Sequence, residues 1–463
     1  MIERKCFNVA ITFICGLVLA CMFTGLAAAQ DASQGKTDYT IQEYNAFQAC
    51  RAEKDPTTQI HCLDDFVSKF PNSTLMQYVY QLYYAAYYQK KDYKYTIKYA
   101  DMLAGLGDKI DPGTKFTAIQ THCQLFQLAA DPKAADAHDW LSKGRDACLA
   151  AIAAVKNVKK PDTVSQDKWD ETIKQTVGTD AASAGFVSLQ FKEYDKAVEQ
   201  LKLALQNIPT DAASEYRLGV AYLSMTPPQS LDGFWALGRA INMKVPDGDK
   251  VKSYLRQQVL TYEQPGCDGQ VDAQLNELLQ LTANPGDRPA TYTIPSADDL
   301  HKISGASNIL TVISDLSAGG DKAKMTWLAI CGAEFPEIVG KVIDVQQNPD
   351  GSADFHVYTG ATEDDMQAAT TANMDVKVWI TAPTTPPPAT TPGGTPPQIT
   401  PQPDVVRLQK DDGIRFSGTL VSYDPSPFLL HWDQVKVDPS VIPEKTESGK
   451  HPHKAVTKKT PQR

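Results

Sequence analysis

The sequence predicts a multidomain α + β protein, an α-solenoid of helical hairpins followed by a small five-stranded β-barrel. Two observations carry this. Gly185 and Gly219 lie 34 residues apart, and their neighbours repeat with them, Ala184 with Leu218 and Ser188 with Tyr222. After about Thr282 the helical periodicity fades, and from Ile338 the pattern turns to strand-like alternation. A 34-residue period that sets a small residue beside an apolar one, with an aromatic three positions on, marks a helix–turn–helix repeat. Such units stack on one another and build a binding surface rather than a reaction centre.

The first copy runs from about Gly178 to Asp211. Its second helix offers Ala197, Leu201 and Ala204, spaced i, i+4, i+7 on one stripe, and Pro209 ends it because proline lacks the backbone donor. The next copy opens with Glu215-Tyr216-Arg217-Leu218-Gly219-Val220-Ala221-Tyr222, turns at Pro227-Pro228, and offers Gly233, Leu237 and Ala240. Those three sit 36 residues after their counterparts, the two extra residues fitting in the turn, where insertions are tolerated. These residues resemble the tetratricopeptide repeat family. The resemblance covers about 40–283, with clear motifs over about 178–243. Asp92–Ala100 looks like the turn and second helix of an earlier copy, and Leu63–Pro71 like the end of one before that. Residues 115–155 read as two more amphipathic helices. The family lines an inner groove with the first helix of each pair. By position, that implies Phe186, Gln190, Tyr216, Val220 and Leu223 as partner-contacting candidates, some of them belonging to the core instead.

Nine of the 19 tyrosines fall between Tyr78 and Tyr99. Tyr80, Tyr84, Tyr87 and Tyr88 follow helical spacing, and Tyr83 widens the stripe. Tyrosine combines rigid area with a hydroxyl and suits an extended peptide or a glycan, so Tyr80, Tyr84 and Tyr87 join the candidate surface. Packing between neighbouring repeats is the competing reading.

The chain opens with Glu3, Arg4 and Lys5, an apolar run over about Phe7–Leu26, then Ala27-Ala28-Ala29. A charged start, an apolar middle and a small-residue exit describe a secretory signal peptide over 1–29. An uncleaved anchor and lipidation at Cys21 are the alternatives. The expected location is the periplasm or the medium, with membrane contact only if the chain is lipidated or uncleaved. The formal net charge of −10 speaks against nucleic acid as a partner. Residues 439–463 differ, being basic, poor in apolar residues and expected to be a disordered tail. Six cysteines lie beyond the signal: Cys50, Cys62, Cys123, Cys148, Cys267 and Cys331. An even number in an exported chain points to disulfides. Cys50 and Cys62 flank the Asp55-Pro56 corner and could meet across a hairpin. Cys123 could meet Cys148 in the same way, which leaves Cys267 for Cys331. Free buried thiols are the alternative.

Residues 284–334 read as a linker, Asn284–Pro289 by composition, with one helix over Ala297–Leu316. The β-barrel is expected over 335–438. Its strands are a run from Ile338 to Val345, Phe355–Tyr358, Val376–Ile380, Ile414–Tyr423 and Phe428–Val437, with a hairpin turn at Asn348-Pro349-Asp350-Gly351. Pro383–Pro403 is dense in Pro and Thr and reads as an extended insertion. Leu408–Leu420 takes a polar turn into a strand with a mid-strand glycine, Gly418, and Gly340 is its match in the first strand. These runs resemble OB-fold barrels, which often bind nucleic acid or sugars.

No HExxH, GxSxG, P-loop or EF-hand pattern occurs. Of the eight histidines only His451 and His453 are close together, in the tail. Neither a catalytic constellation, a metal site nor a cofactor is expected. The sequence therefore points to an exported, non-enzymatic adaptor that holds a protein or peptide. The alternative is an envelope carbohydrate-binding protein acting through the β-domain, with Trp379, Trp432 and Phe428 as stacking faces. An enzyme centred on the barrel is a third reading.

Overall fold

The computed structural model describes residues 39–265, 267, 269–284, 286–383 and 399–444. The expected signal peptide with Cys21, residues 384–398 of the Pro/Thr insertion, and residues 445–463 with His451 and His453 lie outside these. The described chain is mostly helical, with a closed five-stranded β-barrel toward its C-terminal end. It divides into two compact units, one running to Leu255 and taking in Glu277–Tyr292, the other made of Arg256–Asn276 and the chain from Thr293 onward.

The first unit is built from α1 (Ile41–Ala52), α2 (Pro56–Lys69), α3 (Met76–Gln89), α4 (Tyr93–Ala104), α5 (Pro112–Ala129), α6 (Ala137–Ala154), α7 (Gln166–Gln190), α8 (Tyr194–Asn207), α9 (Ala212–Ser224) and α10 (Ser230–Asn242). Each helix packs chiefly on its neighbours in sequence. The starts are set locally. Asp55, Asp92, Asp111 and Asp211 each accept a backbone N–H of the helix that follows, and Pro56 and Pro112 occupy first-turn positions where no donor is needed. Three helix ends share one geometry. Lys91, Lys192 and Lys244 take left-handed backbone at φ 58°, 59° and 59°. The N–H of the next residue reaches back over the last turn, Asp92 to the Tyr87 carbonyl, Glu193 to Ser188 and Val245 to Ala240, at 2.9–3.0 Å.

The repeat seen in the sequence is a repeat of packing. A Cβ on Gly185 would lie 2.7 Å from Leu201 Cγ, and one on Gly219 would lie 2.8 Å from Leu237 Cγ. In each hairpin the glycine of the outgoing helix seats the leucine of the return helix, and both leucines are fully buried. The extra residues of the second hairpin fall in the turn between Ser224 and Ser230, as the spacing requires.

Two helices, α11 (Gly248–Glu263) and α12 (Gly269–Leu281), carry residues of both units. The single helix expected over Ala297–Leu316 is two, α13 (Ala297–Ala306) and α14 (Ile309–Ala318). Asn308 breaks it, because its side chain accepts from the backbone N–H groups of Leu310 and Thr311 and starts a new helix. A third helix, α15 (Gly320–Ile330), lies in what composition marks as linker.

The barrel strands are β1 (Glu334–Gln347), β2 (Ser352–Tyr358), β3 (Met374–Trp379), β4 (Gly413–Pro425) and β5 (Phe428–Val437), and α16 (Glu363–Ala368) joins β2 to β3. They close in the order β1-β2-β3-β5-β4, every pair antiparallel except β3 with β5. Alternate residues point inward, Phe355, Val376, Phe416 and Trp432 among them, and α14 and α15 add Leu316, Trp327 and Ile330 to the same core. Gly340 allows β1 to press against β2, since a Cβ there would collide with the Val357 side chain and come within 2.8 Å of the Tyr358 carbonyl oxygen. The Asn348–Gly351 turn forms as expected, with Gly351 at φ 88°.

All three cysteine pairings are made: Cys50–Cys62, Cys123–Cys148 and Cys267–Cys331. The last closes 64 residues within the second unit. Three bridges imply an oxidising compartment. Among the described residues, no helix is long and apolar enough to cross a membrane.

Candidate functional site

The tyrosine-rich segment forms one aromatic column between α3 and α4. Tyr83 and Tyr99 stack at 4.1 Å and 7°, Tyr99 and Tyr87 at 5.6 Å and 11°, and Tyr87 and Tyr95 at 4.8 Å and 16°. The i, i+4 spacings Tyr83–Tyr87 and Tyr95–Tyr99 place two rings on each helix face. The column begins in the core, where the Tyr83 hydroxyl donates to Asp64 Oδ1 of α2 at 2.7 Å, and surfaces at Tyr95, which is 45% exposed. The Lys98 ammonium sits 5.4 Å above the Tyr95 ring and 5.3 Å above Tyr99. Burial pushes the Tyr99 hydroxyl up to about 12, so it stays a donor at any physiological pH. Near the column, the run from Lys90 to Lys94, Asp92 included, lines an open cleft of about 450 Å³ with Leu128 and Ala129.

Of the candidate tyrosines, Tyr80 and Tyr87 are half-buried and keep an accessible face. Tyr84 does not. It is 6% exposed and packs with Leu103, Ile110 and Ala118, so it belongs to the interior. Tyr95 is the exposed end of the column, and spacing does not single it out, because its partner stripe lies on the preceding helix.

The candidates of the firm repeat pair also separate. Gln190 is exposed, and Tyr216, Val220 and Leu223 are half-buried. Leu223 packs against Gly233, where a Cβ would lie 2.6 Å from its Cγ. Phe186 is a core residue at 9% exposure, packed with Val187 and Phe126, and the Arg217 guanidinium closes its outer face at 4.6 Å. Phe186 and Tyr84 thus fill the helix interfaces and leave the other candidates to offer surface.

Two acids in this unit are buried where the sequence gives no warning. Asp180 is fully buried; it accepts from Gln120 Nε2 at 2.9 Å, and its second oxygen has no hydrogen bond. Burial pushes its carboxyl up to about 7, against the Gln120 bond. Glu215 is 2% exposed and likewise pushed up to about 7 by burial, with Arg239 working against the rise and Asp287 and Asp211 adding to it. A third, Glu263 of the second unit, is fully buried with Gln274 as its donor at 2.8 Å, and burial again raises it to about 7.

On the outside of the barrel, neighbouring positions of four strands set His356, Asp375, His431 and Asp424 side by side. His431 Nδ1 lies 3.3 Å from Asp375 and its Nε2 2.9 Å from Asp424, and His356 lies 4.0 Å from Asp375. This row is a cross-strand ladder of alternating imidazoles and carboxylates. Beyond it on β3, Lys377 reaches the hairpin carboxylate of Asp350 at 3.0 Å and lies 4.8 Å above the Trp379 ring. Trp379 is half-buried, and its indole N–H has no hydrogen bond. Phe428 is half-buried as well. Trp432 offers no stacking face. It is 1% exposed and wedged edge-on against Phe335 and Phe416.

No protein-family model matches the chain, and no curated protein matches it.

Proposed function

We propose that the protein is an exported, non-enzymatic scaffold whose helical unit is a solenoid of tetratricopeptide-like hairpins holding a protein or peptide partner in the cell envelope. The observation that carries this reading is the duplicated packing of Gly185 on Leu201 and Gly219 on Leu237 in two consecutive helical hairpins. Repeated hairpins of this kind present a continuous face along their stack. The exposed Tyr95 end of the aromatic column and the Gln190–Tyr216–Val220 positions supply the surface that a partner would use. Placement in the periplasm or the medium is supported by the three disulfides together with the signal-like start of the sequence. A photo-crosslinking residue at Gln190 or Tyr95 of the full chain should trap one reproducible partner in intact cells. Trapping only from positions on the barrel would assign the binding role to the other unit and overturn this reading.

A second reading has its own support. The order β1-β2-β3-β5-β4 with β3 parallel to β5 fits an OB-like barrel, a fold whose outer β2–β3 face often holds sugars. Trp379, with an unpaired indole N–H and Lys377 over its ring, lies at the end of that face. Titration with cell-wall glycans should then quench tryptophan emission in the native protein and not in Trp379→Phe. An unchanged signal in the native protein rejects the sugar-binding reading.

A further inference from the structure

Composition reads residues 286–292 as part of a linker, yet they are held across α10 by specific contacts. The Gly286 carbonyl accepts from Trp235 Nε1 at 3.2 Å and from Arg239 Nη1 at 3.0 Å. Arg288 Nε donates to Asp232 Oδ1 at 2.8 Å, and its Nη1 donates to the Tyr292 carbonyl at 3.1 Å. The Tyr292 ring packs on Trp235 at 5.4 Å. Asp232, Trp235 and Arg239 follow i, i+3, i+7 and so form one stripe of α10.

We propose that this face of α9 and α10 is a docking groove for an extended, arginine-bearing peptide, and that residues 286–292 are its intramolecular occupant. The proposal rests on the reading of the helical unit as a peptide-holding scaffold and assigns it a site and a ligand class. The elements of recognition are those of peptide binding. Two side-chain donors fix a backbone carbonyl, a carboxylate takes a guanidinium, and an indole supports an aromatic ring. The groove floor is polar and incompletely paired. Glu215 Oε2 lies 3.6 Å from Arg239 Nη2 and makes no hydrogen bond, and Arg239 Nε makes none either. Buried groups of a permanent structural contact are normally satisfied. Here, lifting the segment frees Arg239 from the Gly286 carbonyl to pair more closely with Glu215, which offsets part of the cost of breaking its hydrogen bonds to α10. A segment held in that way is open to exchange with a peptide of the same chemistry.

The test is a labelled peptide with the sequence of residues 286–292 added to the full chain. Arg288→Ala weakens the internal occupant and leaves the groove intact. The peptide should bind this variant at least tenfold more tightly than the native chain. A peptide with alanine in place of its arginine should not bind, and Asp232→Ala in the Arg288→Ala background should abolish the gain. Amide hydrogen exchange over 286–292 should rise in Arg288→Ala while α9 and α10 stay protected. Equal affinity for native and variant chains, or an unchanged exchange rate in 286–292, overturns the proposal. So does a concentration-dependent dimer of Arg288→Ala, which would make a second copy the occupant. If Asp232→Ala leaves crosslinking through Gln190 and Tyr95 intact while peptide binding fails to depend on Arg288, the scaffold reading survives and this groove does not.

Discussion

Gly219 is a position where one methyl group decides between two opposing effects. Alanine is the better helix former by about 1 kcal/mol. Against this, its Cβ would meet Leu237 Cγ at 2.8 Å and the Gly233 carbonyl oxygen at 3.1 Å, and Leu237 is fully buried. Overpacking of this kind costs about 1–3 kcal/mol, so the clash wins. Gly219→Ala should destabilise the protein by a net of up to about 2 kcal/mol in urea unfolding. Gly305→Ala, in α13 with nothing within 4 Å, should leave stability unchanged or raise it by up to about 1 kcal/mol. The sequence showed that Gly185 and Gly219 repeat, but not why. The reason is the leucine that each one seats, and that partner lies on another helix.

At the scale of elements, local chemistry was the most legible. The Asp caps, the first-turn prolines, the Pro209 stop and the Asn348–Gly351 turn all act on their own few residues and read directly from the chain. Lysine at the left-handed helix ends reads less well, because glycine normally occupies that place. A β-carbon there is strained, so Lys192→Gly should raise the unfolding midpoint, by about 0.5–1 kcal/mol in stability. No gain, or a loss, would show that the Lys192 side chain contributes more than its backbone strain costs. What the sequence left open or missed has a common cause. The helix break at Asn308 lies where a capping residue competes with a continuing apolar pattern, and α15 starts after Gly319 with no side-chain cap to announce it. The burial of Tyr84, Phe186 and Trp432 depends on which neighbour covers a face, and periodicity gives a face without its neighbour.

For the whole molecule, the three buried acids set a pH profile. Asp180, Glu215 and Glu263 each titrate near 7 in the fold and near 4 in an unfolded chain. The folded protein therefore binds more protons between those values, and the stability contributed by these groups is complete below about pH 4 and lost as pH rises through 7. Other carboxylates act oppositely. Asp350 is held down at about 2 by the hydroxyl and N–H of Ser352 and by Lys377, so its contribution is lost only in strong acid. Urea unfolding should accordingly show highest stability on the acid side of neutrality and a fall of several kcal/mol, in order of magnitude, toward pH 8. Asp180→Asn keeps an acceptor for Gln120 and removes one charge. It should gain nothing below about pH 4 and about 1–3 kcal/mol more at pH 8 than at pH 5. A flat profile in the native protein would mean that these acids reach water in solution.

The sequence alone determined that a helical half precedes a β-half and where most turns fall. Those features rest on periodicity and on contacts a few residues apart, which a linear pattern records. Only the tertiary structure decided that the five strands close in the order β1-β2-β3-β5-β4, that Asp180, Glu215 and Glu263 are shut away from water, and that residues 286–292 lie along α10 instead of spanning a gap. Closure, burial and docking depend on groups brought together from distant positions, and no spacing within one segment specifies which partner will cover it.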